Sequence, residues 1–121
     1  MIAYCFSEVA SYSKFGSYVG NGSSSDGTFV FLGFRPAYVL IKKSSASGNN
    51  WEVRDIKRDP FNPVDNRLYP NTNDADGNEK DIDFVSNGFK IRTNASGCNT
   101  SGSTYIYLAF AESPFKYARA R

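Results

Sequence analysis

Residues Thr104–Ala111 read TYIYLAFA and carry no charged side chain. In a strand, successive side chains point to opposite faces, so Tyr105 and Tyr107 share one face and Ile106 and Leu108 share the other. Both faces of the segment are apolar, which is typical of a central strand. The segment therefore predicts a layered β-protein in which Thr104–Ala111 lies inside a sheet.

Apolar runs of similar length recur along the rest of the chain, separated by segments rich in Gly, Ser and Asn. The pair Asn87-Gly88 predicts a hairpin turn between two of these runs, Ile82–Val85 and Phe89–Thr93. We predict an all-β fold, an antiparallel β-sandwich, jelly-roll-like or lectin-like, of about eight or nine strands. The predicted strands are Ile2–Phe6, Tyr12–Val19, Thr28–Leu32, Ala37–Lys43, Trp51–Lys57, Ile82–Val85, Phe89–Thr93 and Thr104–Ala111, with at most a short strand at Arg67–Tyr69.

The length of 121 residues is that of one domain, so we expect residues 1–121 to form a single β-sandwich, either alone or as one module of a longer protein. The formal net charge of +2 is too small to indicate binding to nucleic acid. No apolar run approaches the ~20 residues of a membrane-spanning helix, so we expect no membrane insertion. The basic residues Lys116, Arg119 and Arg121 predict a solvated C-terminal end.

The two cysteines lie in different surroundings. Cys5 is inside the apolar run Ile2–Phe6, which predicts a buried thiol, whereas Cys98 follows a polar stretch. We expect both to be free thiols.

The sequence contains no histidine, which excludes histidine-based triads, general bases and metal sites. Pairs of carboxylates remain the only catalytic option, because glycoside cleavage needs two acids across a sugar. The candidate pairs are Asp55 with Asp59, and Asp81 with Asp83 on one face of a strand. Acids at loop edges are ordinarily solvated, so we predict that the protein is not an enzyme and holds no cofactor.

One segment and one set of aromatic residues are candidates for ligand binding. Asn73–Glu79 supplies oxygen ligands around a Gly turn, but it lacks the full ligand spacing of a calcium site. A solvated acidic turn is favoured there, and calcium near Asp74–Asp76 is the alternative. Tyr18, Trp51 and Tyr69 lie in or beside loops and are candidates for a flat platform that stacks sugar rings; packing in the core or at its rim is the alternative.

The two ends of the chain contain similar sequences. Tyr4–Glu8 reads YCFSE and Leu108–Glu112 reads LAFAE. A closing strand that reads like the opening strand would suit a tandem array, in which the first strand belongs to a preceding module. Chance similarity between two sheet strands is the other interpretation.

Four strings carry a resemblance to a known family: GFRPAYVLIKK at Gly33–Lys43, YSKFGSY at Tyr12–Tyr18, NGF at Asn87–Phe89, and SGSTYIYLAFA at Ser101–Ala111. Together they resemble, over nearly the whole chain, a β-sandwich module of phage tail-fibre and other virion-appendage proteins that occurs beside lectin-like domains. The resemblance implies a location in the virion as a tail appendage, after assembly in the host cytoplasm. It also implies other tail subunits as partners and several copies working together as a homo-oligomer, and it supplies no ligand-binding residues.

The expected function is therefore non-enzymatic attachment to a host-surface glycan or protein through the loops, weak for each copy and strong through multivalency. A purely structural or assembly module of a tail fibre is the first alternative. A depolymerase-associated fragment is the second.

Overall fold

The structure is a computed structural model that describes residues 1–114, except for the side chains of residues 79 and 80. These residues form an antiparallel β-sandwich, which confirms the predicted fold class. Its eight strands are β1 (Ser13–Val19), β2 (Phe29–Phe31), β3 (Pro36–Lys43), β4 (Glu52–Asp55), β5 (Val64–Arg67), β6 (Gly77–Val85), β7 (Gly88–Ile91) and β8 (Thr104–Ala111).

The strands divide equally between two sheets. We call the sheet with the order β1-β8-β3-β4 the front sheet and the sheet with the order β2-β7-β6-β5 the back sheet. Strand β1 pairs with β8 and β2 pairs with β7, as in the wrapped hairpin of a jelly roll, but β3 pairs with its successor β4. A backbone bridge between Val53 and Leu68 joins the two sheets along one side.

The core fills the space between the sheets because apolar residues alternate inward along both of them. Val39 and Ile41 of the front sheet and Phe84 and Phe89 of the back sheet are almost completely buried. Tyr105 also points inward from β8, which lies between β1 and β3 as predicted for a central strand.

The predicted hairpin is confirmed, although Gly88 belongs to β7 and not to the turn. Val85 pairs with Gly88, and Ser86 and Asn87 form the turn. Neither turn residue is among those with positive φ. A glycine is required at position 88 because a Cβ there would overlap the carbonyl oxygen of Val30 on the neighbouring strand β2.

The prediction of a strand at Ile2–Phe6 is wrong. The chain turns at Val9–Ser13, where the Ser13 hydroxyl donates to the Ser7 carbonyl and accepts from the Val9 amide. Residues 2–6 form no strand, and the ring of Phe6 packs on Phe15 and Phe110 instead. Cys5, predicted to be buried, is therefore exposed, and Cys98 is the buried thiol; both are free, as expected.

Several strand boundaries also differ from the predictions, and β4 is shorter than the predicted Trp51–Lys57. The short strand expected at Arg67–Tyr69 is β5, which ends at Arg67, and β6 begins at Gly77 rather than at Ile82. Gly77 and Asn78 at the start of β6 pair with Arg67 and Asn66 of β5, whereas the pairing of β6 with β7 begins at Ile82. The basic C-terminal end predicted to be solvated lies outside the described residues.

Candidate functional site

The outer face of the front sheet is built from rows of side chains that lie next to each other across the four strands. In the middle row, Phe15 on β1 pairs with Leu108, Leu108 with Leu40, and Leu40 with Val53. Directly opposed residues of an antiparallel sheet bring their Cβ atoms within about 5.5 Å. The middle row is therefore a continuous apolar band across the whole sheet.

Toward one end of this face the surface is hollow. A groove of about 370 Å³ lies over part of the middle row and is also lined by Trp51 and Ile106. Trp51 is 38% exposed and Ile106 is 41% exposed, so both sides of the groove are open to solvent. We call this feature the Trp51 groove; its other lining residues are Phe15, Gly16, Leu40, Tyr107 and Leu108.

Toward the opposite end the surface is raised by an aromatic ridge centred on Phe110. The ring of Phe6 lies 6.2 Å from that of Phe110 and 6.0 Å from that of Phe15. Tyr12 and Tyr38 complete the ridge, with ring centroids 5.8 Å and 6.0 Å from that of Phe110. Phe6 remains 61% exposed, so it projects from the ridge although the rest of its segment belongs to no strand.

Charge is confined to the two ends of the face. Lys42 pairs with Ile106 at the end that holds the Trp51 groove. Asp55 pairs with Tyr38 at the end that holds the aromatic ridge. Burial raises the pKa of Tyr38, and the neighbouring Asp55 charge adds to that rise.

The structure separates the three aromatic residues predicted to form a sugar-stacking platform. Tyr18 lies between the sheets, stacked on Tyr105 at 5.2 Å, so it cannot be part of an exposed surface. Tyr69 is half-buried, and the guanidinium of Arg67 lies 5.8 Å from its ring centroid. Only Trp51 borders an open groove. The inward position of Tyr18 follows from its place in β1, where it pairs with the core residue Tyr105.

Amide side chains surround the backbone of Trp51. Its N–H donates to Oδ1 of Asn71 at 2.9 Å, and Nδ2 of Asn71 donates to Oδ1 of Asn50 at 3.1 Å. Asn49, two residues before Trp51, donates to the Ser96 hydroxyl. Trp51 is thus held at a corner where an apolar groove meets exposed amides.

The predicted carboxylate pair Asp81 and Asp83 does not form a common site. Asp81 is fully buried and accepts from Nη2 of Arg54 at 2.7 Å. Asp83 accepts from Nε of Arg92 at 2.6 Å on the outer side of the back sheet. The prediction that both face the same way is wrong, because the register shift in β6 breaks the alternation.

Asp81 belongs to a buried charge cluster that connects the two sheets. Arg54 also donates to Glu52 at 2.8 Å, and Arg67 lies 3.3 Å from Asp81. Burial raises the pKa of Asp81, and Arg54 opposes that rise. Burial alone would lower the pKa of Arg54, but the Glu52 and Asp81 charges outweigh it and the pKa is raised. The charged side chains of this cluster pair with one another rather than facing a space that a ligand could enter.

The second predicted pair, Asp55 and Asp59, is engaged in backbone turns. Oδ1 of Asp55 accepts from the amides of Lys57 and Arg58, each at 3.0 Å. Oδ2 of Asp59 accepts from the amide of Asp65 at 2.5 Å. Neither carboxylate is presented to a shared space.

The acidic turn considered for calcium is also engaged. Asp76 forms an ion pair with Arg58, and Asp74 accepts from the Thr72 hydroxyl. Within residues 1–114, no three His, Cys, Asp or Glu side chains are grouped so that they could hold a metal ion. The same part of the chain contains no helix long and apolar enough to cross a membrane.

Sequence reasoning did not identify the outer face as a site, although its signal was present. Strand β8 is apolar on both faces, and we interpreted this as a central position in a sheet. The structure places Tyr105 and Tyr107 toward the core, whereas Ile106 and its neighbours line the Trp51 groove. A central strand that is apolar on a face left open is itself the signal of a contact surface.

A family model described as a domain of unknown function, DUF7483, matches residues 1–114. No curated protein and no solved structure matches the chain.

Proposed function

The chain belongs to the DUF7483 family of domains, whose function is unknown, and we propose that it is a non-enzymatic contact module of a phage tail fibre or another virion appendage. The appendage assignment rests on the four sequence strings that resemble such modules. The observation that carries the contact role is the uncharged outer face of the front sheet between Lys42 and Asp55. Contiguous apolar patches on soluble proteins commonly mark sites that bind another protein.

The proposed role is assembly: the outer face packs against another subunit of the appendage. A rigid sandwich suits this role because its strands hold the contact residues in fixed rows, and contact needs no catalytic group. The candidate acids Asp55, Asp59, Asp81 and Asp83 are each held by their own hydrogen-bond partners, which leaves the depolymerase alternative without its carboxylate pairs.

The proposal is tested on purified phage particles whose genome encodes the domain. We expect mass spectrometry to find the domain in the particles and an antibody raised against it to label a tail appendage in electron micrographs. Particles that are infectious and contain no trace of the domain would contradict the proposal.

Attachment to a host-surface glycan is a second candidate, and the corner around Trp51 favours it. An indole beside exposed amides offers a stacking surface together with hydrogen-bonding groups, and sugar rings use both. A glycan array probed with a multimeric form of the domain tests this function. We expect Trp51→Ala to abolish binding and Trp51→Phe to retain part of it, while equal binding by both variants would place the glycan elsewhere.

A further inference from the structure

The outer face of the front sheet is raised at one end and hollow at the other. Phe6 projects from the aromatic ridge at the Phe110 end, and the Trp51 groove opens at the Ile106 end. Phe110 and Ile106 are four residues apart on β8, which is about 13 Å along a strand. Three residues of the middle row also line the groove, so the projection and the hollow adjoin on one face, the projection toward Phe110 and the hollow toward Ile106.

The charges follow the same division. Asp55 lies at the raised end and Lys42 lies at the hollow end. A further acid, Glu8, lies beside the middle row, where its Oε1 accepts from the Phe15 amide at 3.1 Å. Acid and ridge thus share one end, and base and groove share the other.

A face with this arrangement is complementary to itself. If a second copy is turned by 180° about the middle row, its strands run antiparallel to those of the first copy and the two middle rows meet. The ridge of each copy then lies over the groove of the other, and each Lys42 approaches the acidic end of its partner. Such an isologous contact closes after two copies, which is the commonest symmetry of soluble oligomers.

We propose that the occupant of the outer face is a second copy of this chain, packed front sheet to front sheet with the Phe6 ring of each copy in the Trp51 groove of the other. The groove of about 370 Å³ has room for an aromatic ring, and its walls are apolar. Phe6 is thereby covered, and Lys42 meets a carboxylate. This inference rests on the proposed contact function of the face and names its partner.

The position of Cys5 makes the pairing measurable. Cys5 is exposed and directly precedes Phe6, so in the paired copies it lies near the groove end of the partner, where Ser17 is exposed on the outer face. A disulfide needs Cα atoms within about 7 Å, which makes the cross-link a stringent test of geometry. Cys98 is buried and does not compete.

The experiment oxidises Ser17→Cys protein with copper phenanthroline at a concentration where sedimentation shows association. We expect a covalent dimer on non-reducing gels that disappears with reductant and is lost in the double variant Ser17→Cys, Cys5→Ser. Wild-type protein should give little dimer, because the two Cys5 residues lie at opposite ends of the contact. The matched control is Ser86→Cys, which places an exposed thiol in the β6–β7 turn.

Three results would overturn the inference: a monomer at all concentrations up to about 1 mM, a cross-link of equal yield in Ser86→Cys, or a cross-link that persists without Cys5. The outcome is separable from that of the proposed function. If particles contain the domain but the purified domain is monomeric in solution, only the pairing is contradicted. If the purified domain forms dimers but particles lack the domain, only the appendage role is contradicted.

Discussion

The outer faces of the two sheets are built from the same kind of strand but expose opposite chemistry. On the front sheet, the middle row from Phe15 to Val53 crosses all four strands without a charge. On the back sheet, the corresponding row passes from Phe29 to Lys90 and then to Asp83. In this row the apolar residue Phe29 therefore has a charged neighbour on the next strand, whereas the row from Phe31 through Gly88 to Val85 is uncharged.

The charges of the back sheet are also neutralised locally. Lys90 pairs with Asp26 at 2.6 Å, and Arg92 pairs with Asp83 at 2.6 Å. These groups are satisfied in water without a partner protein. The front face has no such arrangement between its ends, and this difference supports the proposal that the front face makes contacts while the back face is solvated.

The largest effect that we expect distinguishes the buried charge cluster from the outer face of the back sheet. Asp81→Asn should destabilise the fold by about 3–5 kcal/mol, because it leaves the buried Arg54 without a full counter-charge. Asp83→Asn, two residues away, should cost about 0–1 kcal/mol, because its bridge to Arg92 is near the surface. Urea unfolding of the two variants measures both values. Similar losses would show that the buried charge cluster contributes no more to stability than the ion pair between Asp83 and Arg92.

The second effect is a loss of stability at alkaline pH, which is caused by ionisable groups buried between the sheets. Burial raises the pKa of Cys98 from 9.0 to about 12. The folded state therefore keeps the thiol proton while the unfolded chain releases it, so stability falls as pH rises above about 9, by up to about 1.4 kcal/mol per pH unit. Burial also raises the pKa of Tyr18, which adds a loss in the same direction above pH 10.

Urea unfolding at pH 8, 9 and 10 measures this slope. The control is Cys98→Ala, which should flatten the slope between pH 9 and 10 while leaving both outer faces intact. An unchanged slope in that variant would assign the alkaline loss to other groups.

The third effect distinguishes the two faces directly. Ile106→Glu places a charge in the Trp51 groove, where Lys42 stands beside it in the single chain and balances it. We expect the free energy of unfolding to change by less than about 1 kcal/mol, whereas the dissociation constant for self-association should rise about tenfold or more, because the new carboxylate is desolvated in the contact. Sedimentation equilibrium checks the second value.

Phe31→Glu is the matched control, because Phe31 is 61% exposed on the back sheet. It should leave self-association unchanged. Equal weakening by both variants would remove the distinction between the faces.

The smallest effect concerns thiol accessibility and leaves stability unaltered. Native protein treated with iodoacetamide should gain one modification, at exposed Cys5, and urea-unfolded protein should gain two. Intact-mass spectrometry counts the additions. Two additions to the native protein would show that Cys98 is not sealed between the sheets.

Periodicity in the sequence was sufficient to predict the sandwich, the central place of Thr104–Ala111 and the β6–β7 hairpin. It failed at Ile2–Phe6, because an apolar run can also bury its side chains without pairing in a sheet, and here the Phe6 ring packs on Phe15 and Phe110. It failed again at the start of β6, where Gly77 and Asn78 lack an apolar pattern and are held in the sheet by pairing with β5.

The candidate site was only partly predictable. Trp51 was among the residues chosen, but Tyr18 was taken for a surface residue, because single-residue context does not reveal which way a strand faces. The outer face depends on four strands that are distant in sequence, from Phe15 to Leu108, and only their registers bring its rows together. Charge at the two ends of the face is likewise a property of pairing between strands.

Hydroxyl-radical footprinting, carried out on dilute and on concentrated protein, measures most directly whether the front face is covered and the back face is not. We expect oxidation of Trp51, Ile106 and Phe6 to fall as the concentration rises, while oxidation of Phe29 and Phe31 stays constant. Protection confined to Phe29 and Phe31, with Trp51 and Ile106 equally oxidised at both concentrations, would contradict the assignment of the front face as the contact surface.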